Sequence, residues 1–402
     1  MMPIDLNTTA DLCFTLRWRS ERAEHTEIYQ AQRVNFWRDI LPRPLFDDLM
    51  GKTSGESVEL ELETGSRLTG YNSRGIFDLH REQFVPPTGG SEKRPARMGR
   101  FYPKGCLSGL AGVFPQNIEP FRCVGTGDGR LRVDFNHPLA DRRLSLKTDI
   151  GTVYPKAYER GGTSEDWIEV LCQGPGMQSR WQDQPTDFFA DRAFERQDEQ
   201  PDEVFYRQPR LVQHIDASAR QVITGIYGDL LTPNERVLDL MSSWTSHLPQ
   251  ELPLKRLAGL GLNAQELSEN RRLTDALVQD LNQNPHLPYA EGEFDAVLCT
   301  VSVEYLVRPE AVFDQILRIL VPGGRFIVTF SNRWFPSKAI GVWKHLHDFE
   351  RMGLVLEYFY RSGGFDRIQT LSHRGWPRPA EDKYYPQLPL ADPVYAVWGQ
   401  KR

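Results

Sequence analysis

Between residues 236 and 331 short apolar runs alternate with stretches of helical spacing, and this alternation narrows the fold more than any other feature. The segments 236–240, 256–262, 276–281, 294–302 and 325–331 predict strands, being short, apolar and bounded by polar or turn residues. Between them, 264–273 and 309–320 carry apolar residues at helical spacing. Strand and helix in turn imply a parallel sheet covered by helices. In such sheets ligands bind at the carboxyl ends of the strands.

The rest of the chain reads differently. Residues up to 155 hold short alternating runs, such as Ser57-Val-Glu-Leu-Glu-Leu-Glu63 and Arg130-Leu-Arg-Val-Asp-Phe135, with one short helix at 45–50. From 156 to 208 the periodicity weakens, while Gln, Pro and Asp accumulate, as in Gln197-Asp-Glu-Gln-Pro-Asp-Glu203. The expected organisation is therefore a β-rich domain (1–155), a surface connector with one short helix (156–208) and an α/β domain (209–402). A chain of 402 residues is long enough for two cores. Distinct periodicities and a polar connector imply that the two domains fold independently.

Composition removes several classes of function. A formal net charge of -6 offers no broad basic field for phosphates, which argues against a nucleic-acid partner. The five cysteines (Cys13, Cys106, Cys123, Cys172, Cys299) form no CxxC pair and lack zinc-ligand spacing, so no metal site is expected. Their odd number and scatter point to a reducing cytoplasm. The opening residues, MMPIDLNTTADL, have neither the basic nor the apolar region of a signal peptide. No apolar run approaches bilayer length, so no membrane partner is expected either.

Five segments in the C-terminal part, in order, resemble the motifs of class I S-adenosylmethionine-dependent methyltransferases. Val237-Leu-Asp-Leu-Met-Ser-Ser243 stands where that family has a strand, an acid and a glycine-rich turn. Here Met241, Ser242, Ser243 and Trp244 replace the glycines, and Trp244 must point elsewhere or cover the site. The family's ribose-holding acid would fall at Gly261, with Asn263 as a weaker substitute. Asp280 and Leu281 match the side chain and backbone amide that read adenine. A fourth strand through Thr300 leads to Glu304-Tyr-Leu306 at the mouth of the pocket, and Leu320-Val-Pro-Gly-Gly-Arg325 gives the turn before the fifth. The likeness is greatest to a subgroup of the type 11 methyltransferases reading DLMSSWxSHLP. That subgroup also carries Pro209-Arg-Leu-Val-Gln-His-Ile-Asp216 and Asn332-Arg-Trp-Phe-Pro336. The resemblance implies a Rossmann-like, mostly parallel seven-stranded sheet, and S-adenosyl-L-methionine as cofactor. It assigns cofactor contacts to Asp239, Met241, Ser242, Ser243, Asn263, Asp280, Leu281 and Thr300, and calls for a small-molecule or protein methyl acceptor. The alternative is a degenerate domain without catalysis, serving a peptide-binding scaffold or chaperone.

In the N-terminal part, Asp134-Phe-Asn-His-Pro-Leu-Ala140 resembles the segment that closes the inserted flap in FKBP-type prolyl isomerases of the bacterial SlyD kind. This resemblance implies an α+β FKBP-like domain that binds proline-containing or unfolded peptides. The expected apolar cup is drawn from Phe36, Trp37, Ile40, Leu41, Tyr71 and Phe84. No ionised residue is required, because desolvating the imide lowers a rotation barrier of about 18–20 kcal/mol. The charged stretch Arg17-Trp-Arg-Ser-Glu-Arg-Ala-Glu-His25 stands where glycine-containing loops are expected, so binding is expected to outlast catalysis.

Overall fold

The computed structural model describes residues 2–62, 70–86, 95–156, 161–190 and 192–402. Strands β1 (Thr8–Arg19) and β2 (Ala23–Asn35) form a long antiparallel hairpin. Helix α1 (Arg43–Leu49) follows, and its Leu45 and Leu49 join the core beneath the hairpin. After β3 (Ser57–Leu62) comes a separate four-stranded sheet of β4 (Ile76–His80), β5 (Phe101–Pro103), β6 (Pro120–Gly127) and β7 (Arg130–Asp134). The chain then returns as β8 (Leu144–Pro155), pairing with both β1 and β3. Two short helices follow, α2 (Trp167–Cys172) and α3 (Asp202–Phe205).

The α/β part opens with α4 (Ala217–Leu230), capped by the Asp216 carboxylate accepting from Ala219 N. It continues through β9 (Arg236–Leu240), β10 (Arg256–Gly261), α5 (Ala264–Glu269), β11 (Asp275–Val278) and β12 (Phe294–Thr300). Last come α6 (Pro309–Ile319), β13 (Leu320–Ser331), α7 (Asp348–Ser362), β14 (Phe365–Arg374) and β15 (Val394–Lys401). Strands β9 to β13 pair in parallel, and β15 runs antiparallel between β13 and β14. This is the mostly parallel, seven-stranded, Rossmann-like sheet. Helix α5 is shorter than the expected 264–273, because the Asn270 side chain turns to Ser243 O and Ser246 Oγ as the helix ends.

The sheet does not stop where the sequence pattern changes. β14 pairs in parallel with β2, from Ile368↔Ala23 to Arg374↔Tyr29, so the eleven strands run β11-β10-β9-β12-β13-β15-β14-β2-β1-β8-β3. A buried polar network pins this seam. Glu27 accepts from Trp18 Nε1, Gln178 Nε2 and Ser372 Oγ, and His25 bonds to Thr370 Oγ1 and Ser20 Oγ.

The segment 156–208 also differs from a surface connector. Met177, Gln178, Ser179 and Phe188 are buried. They lie against α7, where a Cβ on Gly353 would meet Gln178 Cα at 3.3 Å and the Phe188 ring at 3.4 Å. Arg180 makes a bidentate pair with Glu357 at 2.7 Å, and Arg100 reaches Glu350 at 3.0 Å. Apart from α2 and α3 the described residues of this stretch form no helix or strand, so its burial leaves no periodic signal. Among the described residues no helix is long and apolar enough to cross a membrane.

Candidate functional site

At the carboxyl edge of the parallel strands, the chain leaves β9 through Met241, which adopts left-handed backbone at φ 58°. For a residue with a Cβ that conformation costs about 1–2 kcal/mol. The turn folds over the end of β10, where Ser242 N donates to Leu260 O at 2.7 Å. A Cβ on Gly261 would lie 2.2 Å from Ser242 O. The glycine needed for close approach therefore sits on the neighbouring strand rather than in the turn. Val301, just beyond β12, is also left-handed at φ 47°, a rare state for a β-branched residue. Both strained residues line the same hollow.

The turn is braced from below. Buried Asp239 accepts from Ser242 Oγ and Ser246 Oγ through one oxygen, each at 2.6 Å. Burial pushes its pKa up to about 6, against the two serine bonds. Ser243 Oγ donates to Glu266 at 2.6 Å, and the other Glu266 oxygen accepts from Arg210 N at 2.7 Å.

Asn263 does not stand ready for a ribose. Its oxygen caps α5 by accepting from Gln265 N and Glu266 N, and its amide donates to Tyr206 O and Arg207 O. Those four bonds exhaust its capacity. The carboxylate that lines the hollow from this corner is Glu266.

Past β11, Asp280 accepts from Asn282 N at 2.8 Å and from Gln283 Nε2 at 3.1 Å. Asn282 in turn donates to Asp202 and to Tyr305 O, and accepts from Val307 N. Asp202 is held by Arg196 and by the fully buried Lys338. Thr300, at the end of β12, shares a 2.6 Å hydrogen bond with the Tyr227 hydroxyl. Trp244 covers the site, with its indole N–H donating to Val212 O.

The hollow divides into two adjoining cavities of about 120 Å³ and 450 Å³. The eight residues expected to contact the cofactor all line them. Asn263, Asp280 and Leu281 face the first, Asp239 and Thr300 the second, and Met241, Ser242 and Ser243 lie between. Others were not singled out from sequence: Asp202, Tyr206, Arg210, His214, Glu266 and Phe335. Three of these fall in the segments 209–216 and 332–336 that accompany the motif, which was the available signal. Glu304, expected at the mouth, is instead buried away from it. Neither of its oxygens has a hydrogen-bond partner in another of the described residues, and burial pushes its pKa up to about 8. Its neighbour Tyr305 lines the wall, with its hydroxyl accepting from Phe335 N.

The six residues expected to form a proline cup are divided. Phe36 and Leu41 are buried in the core under β1 and β2, whereas Phe84 lies in the core of the four-stranded sheet. Trp37, Ile40 and Tyr71 are exposed. Sequence spacing could not separate these fates, because two cores draw on one stretch of chain.

Residues 244–328 match a family described as a methyltransferase domain. No curated protein matches the sequence. Similar solved structures include an S-adenosylmethionine-dependent methyltransferase of Thermotoga maritima, at 16% identity and TM-score 0.34, covering 47% of this chain and 90% of that one. Another, of Mesorhizobium loti, has 16% identity and TM-score 0.30, covering 44% and 96%. The cyclase SpnF has 16% identity and TM-score 0.34, covering 50% and 90%.

Proposed function

We propose that this chain transfers a methyl group from S-adenosyl-L-methionine, held in the first cavity, to an acceptor in the second. The methyltransferase-domain match supports that cofactor. The observation that carries the reading is the pair of cavities sharing the Met241–Ser243 turn at the carboxyl edge of β9. The donor set suits the cofactor. Glu266 keeps acceptor capacity for ribose hydroxyls beyond its two bonds. Asp280 and the Leu281 amide stand at the adenine end, and Ser242 and Ser243 at the methionine end. When bound, the cofactor supplies a methyl group on positively charged sulfur. The chain's own work is to bind, orient and exclude water, since methyl transfer depends chiefly on positioning.

At about 120 Å³ the first cavity is smaller than the about 300–1,000 Å³ of small-molecule sites, so entry requires outward movement of the strap at 202–214. That strap is held to the site by Asn263, by Glu266 accepting from Arg210 N, and by Trp244. Asp280→Ala is expected to weaken S-adenosylmethionine binding in calorimetry by about 1–3 kcal/mol. Unchanged affinity in a folded variant rejects the adenine assignment.

A second reading concerns the N-terminal part. The four-stranded sheet is inserted between β3 and β8, and Asn136-His-Pro-Leu139 lies at its return. This supports an FKBP-like, peptide-binding role for that part. With the cup residues divided between two cores, the full chain is expected not to accelerate isomerisation of an Ala-Pro peptide in an NMR-exchange assay. Acceleration above the uncatalysed rate rejects that expectation.

A further inference from the structure

The second cavity, at about 450 Å³, is of small-molecule size. Trp244, Trp334, Phe335 and Tyr384 give it aromatic walls. Its polar groups separate into those already occupied and those still open. All four carboxylates on its lining are engaged from within the protein. Asp216 accepts from Ala219 N and Asp392 N and pairs with Arg378. Asp392 takes Arg333 and Arg378. Asp382 takes Tyr384 N and Arg378, and Asp239 holds its two serine hydroxyls.

Two of its basic side chains bear on what could bind there. Lys383 stands 4.9 Å from the Tyr384 ring centre and has no ion pair among the described residues. His214 borders both cavities with its ring edge-on to Phe335 at 5.2 Å, and its nitrogens have no hydrogen-bond partner among the described residues. Partial burial, then the charges of Arg210 and Lys383, lower the His214 pKa against the opposing pull of Glu266. The ring is therefore neutral at pH 7 and free to take a proton.

We propose that the methyl acceptor is a small aromatic hydroxy acid, its carboxylate paired with Lys383, its ring among the aromatic walls and its hydroxyl meeting His214 where the cavities join. This rests on the reading of the first cavity as the donor site. An amine acceptor fits less well, because its cation would meet the charges of Lys383 and Arg333, while the carboxylates on the lining are already engaged with arginines, serine hydroxyls or backbone amides. In the transfer the acceptor O–H bond breaks and its proton passes to the His214 imidazole. The oxygen–methyl bond forms as the sulfur–methyl bond breaks, sulfur keeps the electron pair, and the imidazolium releases its proton to water.

The test begins with S-adenosylhomocysteine binding to the full chain by calorimetry. Its absence overturns the donor reading and this inference with it. The protein saturated with S-adenosylhomocysteine is then titrated with 4-hydroxybenzoate and 4-hydroxycinnamate, and with their neutral amides. At least one acid is expected to bind tenfold or more tightly than its amide, and Lys383→Gln is expected to remove that preference. Acids and amides binding alike, a preference unchanged in Lys383→Gln, or no acid binding while S-adenosylhomocysteine binds, overturns the inference. With S-adenosylmethionine present, His214→Asn is expected to lower kcat for the bound acid at least 100-fold while leaving its Kd within twofold. An unchanged kcat overturns the role of His214.

Discussion

Glu304 is an acid placed where water cannot reach it. It follows β12, its oxygens have no hydrogen-bond partner in any other of the described residues, and its own backbone amide and the charge of Arg351 only partly offset desolvation. Folded, it keeps its proton up to about pH 8, whereas its ordinary pKa is 4.5. Its contribution to stability is therefore complete below about pH 4.5 and is lost as pH rises through 8. Glu304→Gln keeps the shape and removes the titration. The variant is expected to match the wild type in urea unfolding near pH 4.5 and to exceed it by several kcal/mol at pH 8. A stability difference that does not change with pH rejects this account. From the sequence, Glu304 reads as a pocket-mouth residue, because its position after a strand fits that place. Only the fold shows that Tyr305, rather than Glu304, lines the cavity.

At the scale of elements, β9 to β13 were legible because apolar runs of strand length alternate with helical spacing. The turn that follows β9 was less so. Its missing glycines suggest a damaged site, yet the close approach is preserved by Gly261 on β10. Residues 202–208 of the strap and the role of Glu266 were not legible, because those residues follow no periodic pattern, Glu266 reads only as one residue of a helical stretch, and both placements depend on the cap formed by Asn263. The Gly261 argument predicts a specific failure. Gly261→Ala brings a methyl group to 2.2 Å from a backbone oxygen that cannot rotate away. The turn must lift off β10, at a cost of about 1–3 kcal/mol, the usual range for overpacking. Calorimetry is expected to show S-adenosylhomocysteine binding weakened at least tenfold. By contrast, Gly225→Ala, with open space around its Cβ, is expected to leave binding intact. Equal binding by the two variants sinks the argument.

Over the whole molecule, the question is whether the two halves are separable. The sequence suggests so, because periodicity breaks down between them and the intervening stretch is polar. The structure gives reasons against it that no local pattern carries. Strand β14 has β2 as its outer neighbour across seven register pairs. Helix α7 is buried without interruption from Phe349 to Phe359, so it needs cover on two sides. The seven-stranded sheet covers one side, as shown by Phe359 against Phe326 and Phe365. The other is covered by residues 176–189 and by Arg100 and Phe101, which reach Glu350. A chain of residues 209–402 would expose that face, the β14 edge, and the carboxylates of Glu350 and Glu357 without their arginines. An unpaired strand edge beside an uncovered apolar helix is a site for association. Residues 209–402 expressed alone are therefore expected to be aggregated in size-exclusion chromatography, and the full chain to unfold in one cooperative transition followed by calorimetry. A monomeric 209–402 fragment with a cooperative transition of its own would show that the seam joins two self-sufficient units.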